Sequence, residues 1–170
     1  HRDLKPANVM VEGKGRALVG DFGLARDVRA EDGGTVTGAV LGTPAYMSPE
    51  QARGERTSVD RRSDVFSLGA ILYQVLTRRP PFQGDGVIAV LHQVMNVDPV
   101  APRRLNPLVP RDLDVLCTKA LERDRERRYQ TAAELADDVE RYLRREPISA
   151  RPPSAWYRLT RRVARNPAAW

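Results

Sequence analysis

His1-Arg2-Asp3-Leu4-Lys5-Pro6-Ala7-Asn8 opens the chain, and thirteen residues after Asn8 comes Asp21-Phe22-Gly23. Gly42-Thr43-Pro44 and Ser48-Pro49-Glu50 follow in that order. Any one of these tripeptides recurs by chance; the ordered set at this spacing does not. Around them, Asn8-Val9-Met10-Val11 and Ala17-Leu18-Val19 are short apolar runs separated by Glu12-Gly13-Lys14-Gly15-Arg16. The two glycines supply turn chemistry, so a small hairpin is expected. Residues 25–47, with Gly33, Gly34, Gly38 and Gly42, scattered threonines and little periodicity, read as a long loop. Loops of that length in compact domains are usually functional or disordered.

Downstream the pattern becomes helical. Ser63-Asp64 can cap a segment running to about Thr77, stopped by Pro80-Pro81. Its apolar residues (Val65, Phe66, Leu68, Ala70, Ile71, Leu72, Val75, Leu76) point nearly all round, which marks a buried central helix. Asp85 precedes a helix carrying Val87, Ile88, Val90, Leu91, Val94 and Met95, and Pro99, Pro102, Pro107 and Pro110 mark a connecting stretch. Leu113, Leu116, Cys117, Ala120 and Leu121 lie at i, i+3, i+4, i+7 and i+8, the stripe of an amphipathic helix. Thr131-Ala132-Ala133-Glu134 reads as a capping box opening a last helix with Leu135, Val139 and Leu143 on one face.

The chain has 170 residues, 41% of them hydrophobic, enough for one buried core. Cys117 is the single cysteine, so no internal disulfide framework exists; on an apolar stripe it reads as a small buried hydrophobe in a reducing compartment. The net charge of +6 is not spread evenly. Residues 1–143 hold 21 basic and 21 acidic side chains, whereas residues 144–170 hold seven arginines against Glu146 alone. The excess is thus the property of a tail. A neutral body argues against nucleic acid as a partner.

The pattern His1-Arg2-Asp3-Leu4-Lys5-Pro6-Ala7-Asn8, then Asp21-Phe22-Gly23, then Ser48-Pro49-Glu50, resembles the catalytic loop, metal-binding motif and loop-ending motif of protein kinases over residues 1–143. Lys5 and Gly42-Thr43-Pro44-Ala45-Tyr46-Met47 resemble the serine/threonine branch. The stretch from Gly42 to Gly54 looks like the bacterial eukaryotic-like serine/threonine kinases. The resemblance implies the C-terminal lobe of the α+β kinase fold: mainly α, a short hairpin and five to six helices around a buried central helix. Phosphoryl transfer needs positioning and charge neutralisation more than covalent help. By resemblance, Asp3 orients the acceptor hydroxyl and takes its proton, and Lys5 steadies the transferring phosphate. Asn8 and Asp21 hold Mg2+ through hard oxygens, Met10 joins Lys5, Asn8 and Asp21 at the ATP site, and Thr43 bridges Asp3 and Lys5. Arg2, Phe22, Gly23, Glu50, Asp64 and Arg128 are then structural: Glu50 pairs with Arg128, and Asp64 braces the catalytic-loop backbone.

The resemblance also carries expectations about regulation and place. An arginine directly before the catalytic aspartate marks kinases whose activation loop is ordered by phosphorylation, which makes Thr35 and Thr37 the candidate phosphosites. The Gly-rich loop and phosphate-pairing lysine of kinases lie upstream of such a catalytic loop, so the chain alone is expected to be inactive. Residues 1–145 read as the catalytic lobe. Residues 146–170 read as a basic, Pro- and Arg-rich juxtamembrane-like linker, with Trp156, Tyr157 and Trp170 suited to an interface. A kinase domain in the cytoplasm, tethered to the inner face of the plasma membrane and acting on protein substrates, is the expectation. The alternative is a pseudokinase scaffold, and the presence of Asp3, Lys5, Asn8 and Asp21 together weighs against it.

Overall fold

A computed structural model of the chain describes residues 1–22 and 44–151. Gly23, Thr35, Thr37 and Thr43 lie outside the described residues, as does the tail from residue 152 with Trp156, Tyr157 and Trp170.

The hairpin forms where the glycines predict it. Strands β1 (Val9–Val11) and β2 (Ala17–Val19) pair antiparallel with Val9 opposite Val19 and Val11 opposite Ala17. Gly15, at φ 81°, closes the turn by donating its N–H to the Glu12 carbonyl at 2.8 Å. A side chain would strain that left-handed position. A 3-10 turn over Pro6–Asn8 leads into β1.

Six α-helices follow among the described residues: α1 (Pro49–Ala52), α2 (Arg61–Thr77), α3 (Val87–Asn96), α4 (Pro102–Leu105), α5 (Arg111–Ala120) and α6 (Ala132–Leu143). The helix α2 is the post around which the others pack. On one side it carries Phe66, Ala70 and Tyr73 into a cluster with Ala45, Tyr46, Phe82, Val90, Val94, Cys117 and Leu121. On the other, Val65 joins Val115, Leu116, Ala120, Tyr129, Leu135 and Ala150. Gly69 lets α5 approach closely: a Cβ there would stand 2.7 Å from the Ala120 Cβ, inside any tolerable contact. At its C-terminus Arg78 adopts φ 64° and donates its N–H to the Gln74 carbonyl, ending the helix before Pro80.

Several local expectations shift. The cap of α2 is Asp60, whose carboxylate accepts from the Arg62 N–H at 2.8 Å; Ser63 and Asp64 are inside the helix and spend their side chains on tertiary bonds. Gly86, at φ 92°, rather than Asp85 precedes α3. Within the proline-rich connection, Pro102 starts the short α4, because proline at the first helical position gives up only an N–H that has no partner anyway. Thr131 does cap α6, accepting from the Glu134 N–H at 3.1 Å. The returning Glu134 carboxylate bonds the N–H of Gln130 instead of Thr131. Leu143 leaves the expected apolar face and is 71% exposed. Cys117 is fully buried against the Gly69 carbonyl, and burial pushes its thiol well above its usual range.

Candidate active site

The first eight residues form a loop whose shape is fixed by α1 and α2. Asp64, in the first turn of α2, takes both main-chain nitrogens at the start of the loop: Oδ2 accepts from His1 N and Oδ1 from the Arg2 N–H, each at 2.8 Å. From the other side Gln51 of α1 donates its amide to the Arg2 carbonyl at 2.7 Å. Arg2 itself sits at φ 72°, in the left-handed region that a non-glycine residue enters at a cost. Its N–H and its carbonyl are both pinned, so the strain is held rather than relaxed.

The imidazole of His1 ties this loop to the hairpin. Its Nε2 lies 2.7 Å from the Gly20 carbonyl, which can only accept, so Nε2 carries the proton. Nδ1 then accepts the Asp3 N–H at 3.3 Å. Both ring nitrogens are occupied, and the ring packs on Phe22 with centroids 4.7 Å apart. His1 is a strut between the two motifs.

Asp3, Lys5 and Asn8 converge. The Lys5 ammonium donates to Asp3 Oδ2 at 2.8 Å. The Asn8 amide donates to the Asp3 carbonyl at 2.8 Å and to Asp3 Oδ2 at 3.2 Å. Both contacts fall on one carboxylate oxygen, which leaves Oδ1 without a partner among the described residues. Because the Asn8 NH2 group is directed at Asp3, its carbonyl Oδ1 faces the other way. Gly20 donates its N–H to the Asn8 carbonyl at 2.9 Å, so Asp21 begins directly across the hairpin from Asn8. Asp21 adopts φ 57°, a second non-glycine residue in the left-handed region. Asn8 offers an amide oxygen and Asp21, one residue past Gly20, a carboxylate, and both are the hard oxygen donors that Mg2+ takes. Met10 and Phe22 present exposed apolar surface on the same hairpin.

Below the loop, Glu50 and Arg128 meet face to face. The guanidinium donates to both carboxylate oxygens at 2.8 Å, and the pair is buried, 5% and 0% exposed at the side chains. Ser63 adds a hydroxyl donor to Glu50 at 2.7 Å. Arg128 also donates to the carbonyls of Glu122, Arg62 and Arg123 and lies over the Phe66 ring. Burial alone would raise the Glu50 carboxyl; the bonds and charge of Arg128, with Ser63, outweigh it and bring it from 4.5 to about 2. The stretch before α1 is fastened too, as Ser67 donates to the Tyr46 carbonyl and the Tyr46 hydroxyl bonds Gln74.

The structure therefore brings Asp3, Lys5 and Asn8 into direct contact, puts Asp21 one residue past the Gly20 that pairs with Asn8, and builds the Glu50–Arg128 and Asp64 supports. Gln51 and Ser63 escape the sequence reading. Gln51 was findable: Ser48-Pro49-Glu50-Gln51 has capping-box spacing, and Gln51 Oε1 does accept from the Ser48 N–H and hydroxyl. No local signal marks Ser63 as a partner of Glu50.

Comparisons with known proteins identify the family. A sequence model described as the protein kinase domain matches residues 1–139. The chain is 49% identical over 152 residues to the serine/threonine-protein kinase PknB of Mycobacterium tuberculosis, covering 88% of this chain and 24% of that protein. Against PknB of Mycolicibacterium smegmatis it is 50% identical over 141 residues, 82% of this chain and 22% of the relative. A probable serine/threonine-protein kinase of Streptomyces coelicolor is 46% identical over 152 residues, with 88% and 22% covered. The chain thus spans about a quarter of the length of these relatives.

Proposed function

We propose, because the chain belongs to the protein kinase family and to its bacterial serine/threonine branch, that the full-length protein phosphorylates serine and threonine hydroxyls of other proteins. The observation that carries the reading is the asymmetric occupation of Asp3. Lys5 and Asn8 hold Oδ2 and fix the plane of the carboxylate. Oδ1, which has no partner among the described residues, can accept the proton of an acceptor hydroxyl, a role for which geometry comes before pKa. Lys5, next to that carboxylate, is a mobile positive charge for the phosphoryl group in flight. Asn8 and Asp21 would hold the Mg2+ that accompanies ATP, and Met10 would line the nucleotide site. ATP with Mg2+ supplies the transferable γ-phosphoryl group and the cation that offsets its charge. The strained Arg2 and Asp21 set these groups in place before substrate arrives.

The test is transfer of phosphate from ATP by the full-length protein, with mass spectrometry of the products. Mg2+-dependent phosphate on serine or threonine, including Thr35 and Thr37 of the activation loop, is the expected result. The 170-residue chain alone is expected to transfer none. A full-length protein that binds partners but transfers no phosphate is a scaffold, and the reading would be wrong.

A second part of the reading concerns place. Seven arginines against one glutamate in residues 144–170, with Trp156, Tyr157 and Trp170, support a tether to the inner face of the plasma membrane. Among the described residues no helix is long and apolar enough to cross a membrane. After lysis the full-length protein is expected to sediment with membranes and to need detergent for release. Recovery in the soluble fraction without detergent would exclude the tether.

A further inference from the structure

We propose that residues 147–150 form a strap coupling the chain that follows the kinase fold to Glu50, the residue that anchors the end of the activation loop. This goes beyond the catalytic reading, and its test needs no catalytic activity.

After Leu143 the chain doubles back on itself. Arg144 donates its N–H to the Glu140 carbonyl, Arg145 to that of Tyr142, and Glu146 to that of Arg141, with Arg145 at φ 61° to make the reversal. The returning segment lands on α6. Asp138, 2% exposed, receives it with both oxygens: Oδ1 accepts from the Ser149 N–H at 2.7 Å and Oδ2 from the Ala150 N–H at 2.9 Å. Arg141 donates to the Ser149 hydroxyl at 2.7 Å. Ala150 is 5% exposed and, with Ile148 beside it, belongs to the cluster of Val65, Leu116, Tyr129 and Leu135. A buried carboxylate satisfied by two successive main-chain N–H groups is a built receptor, because the same carboxylate left empty would carry its full desolvation cost. The protein kinase domain model stops at residue 139, before the strap.

What the receptor touches gives the strap its reach. The third donor to Asp138 is the Tyr129 hydroxyl, at 3.0 Å on Oδ2. Tyr129 follows Arg128 directly in the chain, and Arg128 grips Glu50 with two bonds. One dipeptide thus holds the receptor of the strap with its second side chain and the activation-loop anchor with its first. A parallel route runs through Val65, which shares a core cluster with Ala150 and adjoins Asp64, the brace of the catalytic loop. Whatever seats or lifts residues 147–150 therefore acts on both supports of the active site.

The test is amide hydrogen exchange on the full-length protein and its Ser149→Pro variant, which lacks the N–H that Asp138 Oδ1 accepts. Exchange should accelerate in peptides covering 147–151 and, by about tenfold or more, in peptides covering 44–54 and 127–130, while peptides from α3 stay unchanged. Acceleration confined to 147–151, or spread equally into α3, overturns the coupling. Should Ser149→Pro fail to fold, Asp138→Asn is read by the same criteria.

Discussion

Replacing Arg128 with alanine will destabilise the kinase domain by about 3–5 kcal/mol, the range for removing one partner of a buried ion pair. The change leaves the Glu50 carboxyl at a site 4% exposed without its ion-pair partner, keeping the Ser63 hydroxyl. It also strips the carbonyls of Glu122, Arg62 and Arg123 of a shared donor. The double variant Glu50→Leu/Arg128→Met should recover much of the loss, because an apolar pair of similar size has no charge to strand. Urea unfolding of the intact kinase domain measures both. A loss below about 1 kcal/mol for Arg128→Ala, the value of an exposed pair, would mean that water reaches Glu50. The same pair sets an acid limit. The Glu50 carboxyl is lowered in the fold, from 4.5 to about 2, so its contribution is complete above pH 4.5 and is lost as pH falls toward 2. Stability should drop across that window in the parent and less in the apolar double variant.

Asp3→Asn carries the second large effect. An amide of the same shape can hold its place between Lys5 and Asn8, yet its nitrogen offers a proton where the acceptor hydroxyl needs one taken. Loss of a positioned base costs roughly 10^2–10^4-fold in kcat. The KM for ATP should stay near its parent value, because the defect falls on the transition state rather than on nucleotide binding. Assays of the full-length protein with ATP and a protein substrate separate the two parameters. Retention of more than about a tenth of kcat would remove Asp3 from the role of base.

What was legible in the sequence follows from how local the determining physics is. The hairpin needed only two apolar runs and Gly13 and Gly15 between them. The amphipathic stripe of α5, the Thr131 cap and the burial of Cys117 could each be read within a window of ten residues. The belonging of Glu50 with Arg128, 78 positions apart, came from resemblance to a family and not from spacing. Signals that compete locally misled the reading. Ser63-Asp64 has the chemistry of a helix start, but Asp60 lies one turn earlier and takes the cap, which frees Ser63 for Glu50 and Asp64 for the catalytic loop. Leu143 keeps the helical period and still faces solvent, 71% exposed, just before the chain reverses at Arg145. The strap was invisible because its receptor, Asp138, looks like any acidic residue on a polar helix face. Only the fold shows that the face is covered.

Cys117 has a practical use that follows from where it sits. Its sulfur lies against the Gly69 carbonyl, in the seam where α2 and α5 come too close to admit a side chain. A thiol reagent in solution cannot reach it until that seam parts, and this chain has no other cysteine to confuse the signal. The labelling rate is therefore a built-in clock for opening of the helical core. Read on the peptide that carries Cys117, it ranks every variant discussed above without an added probe.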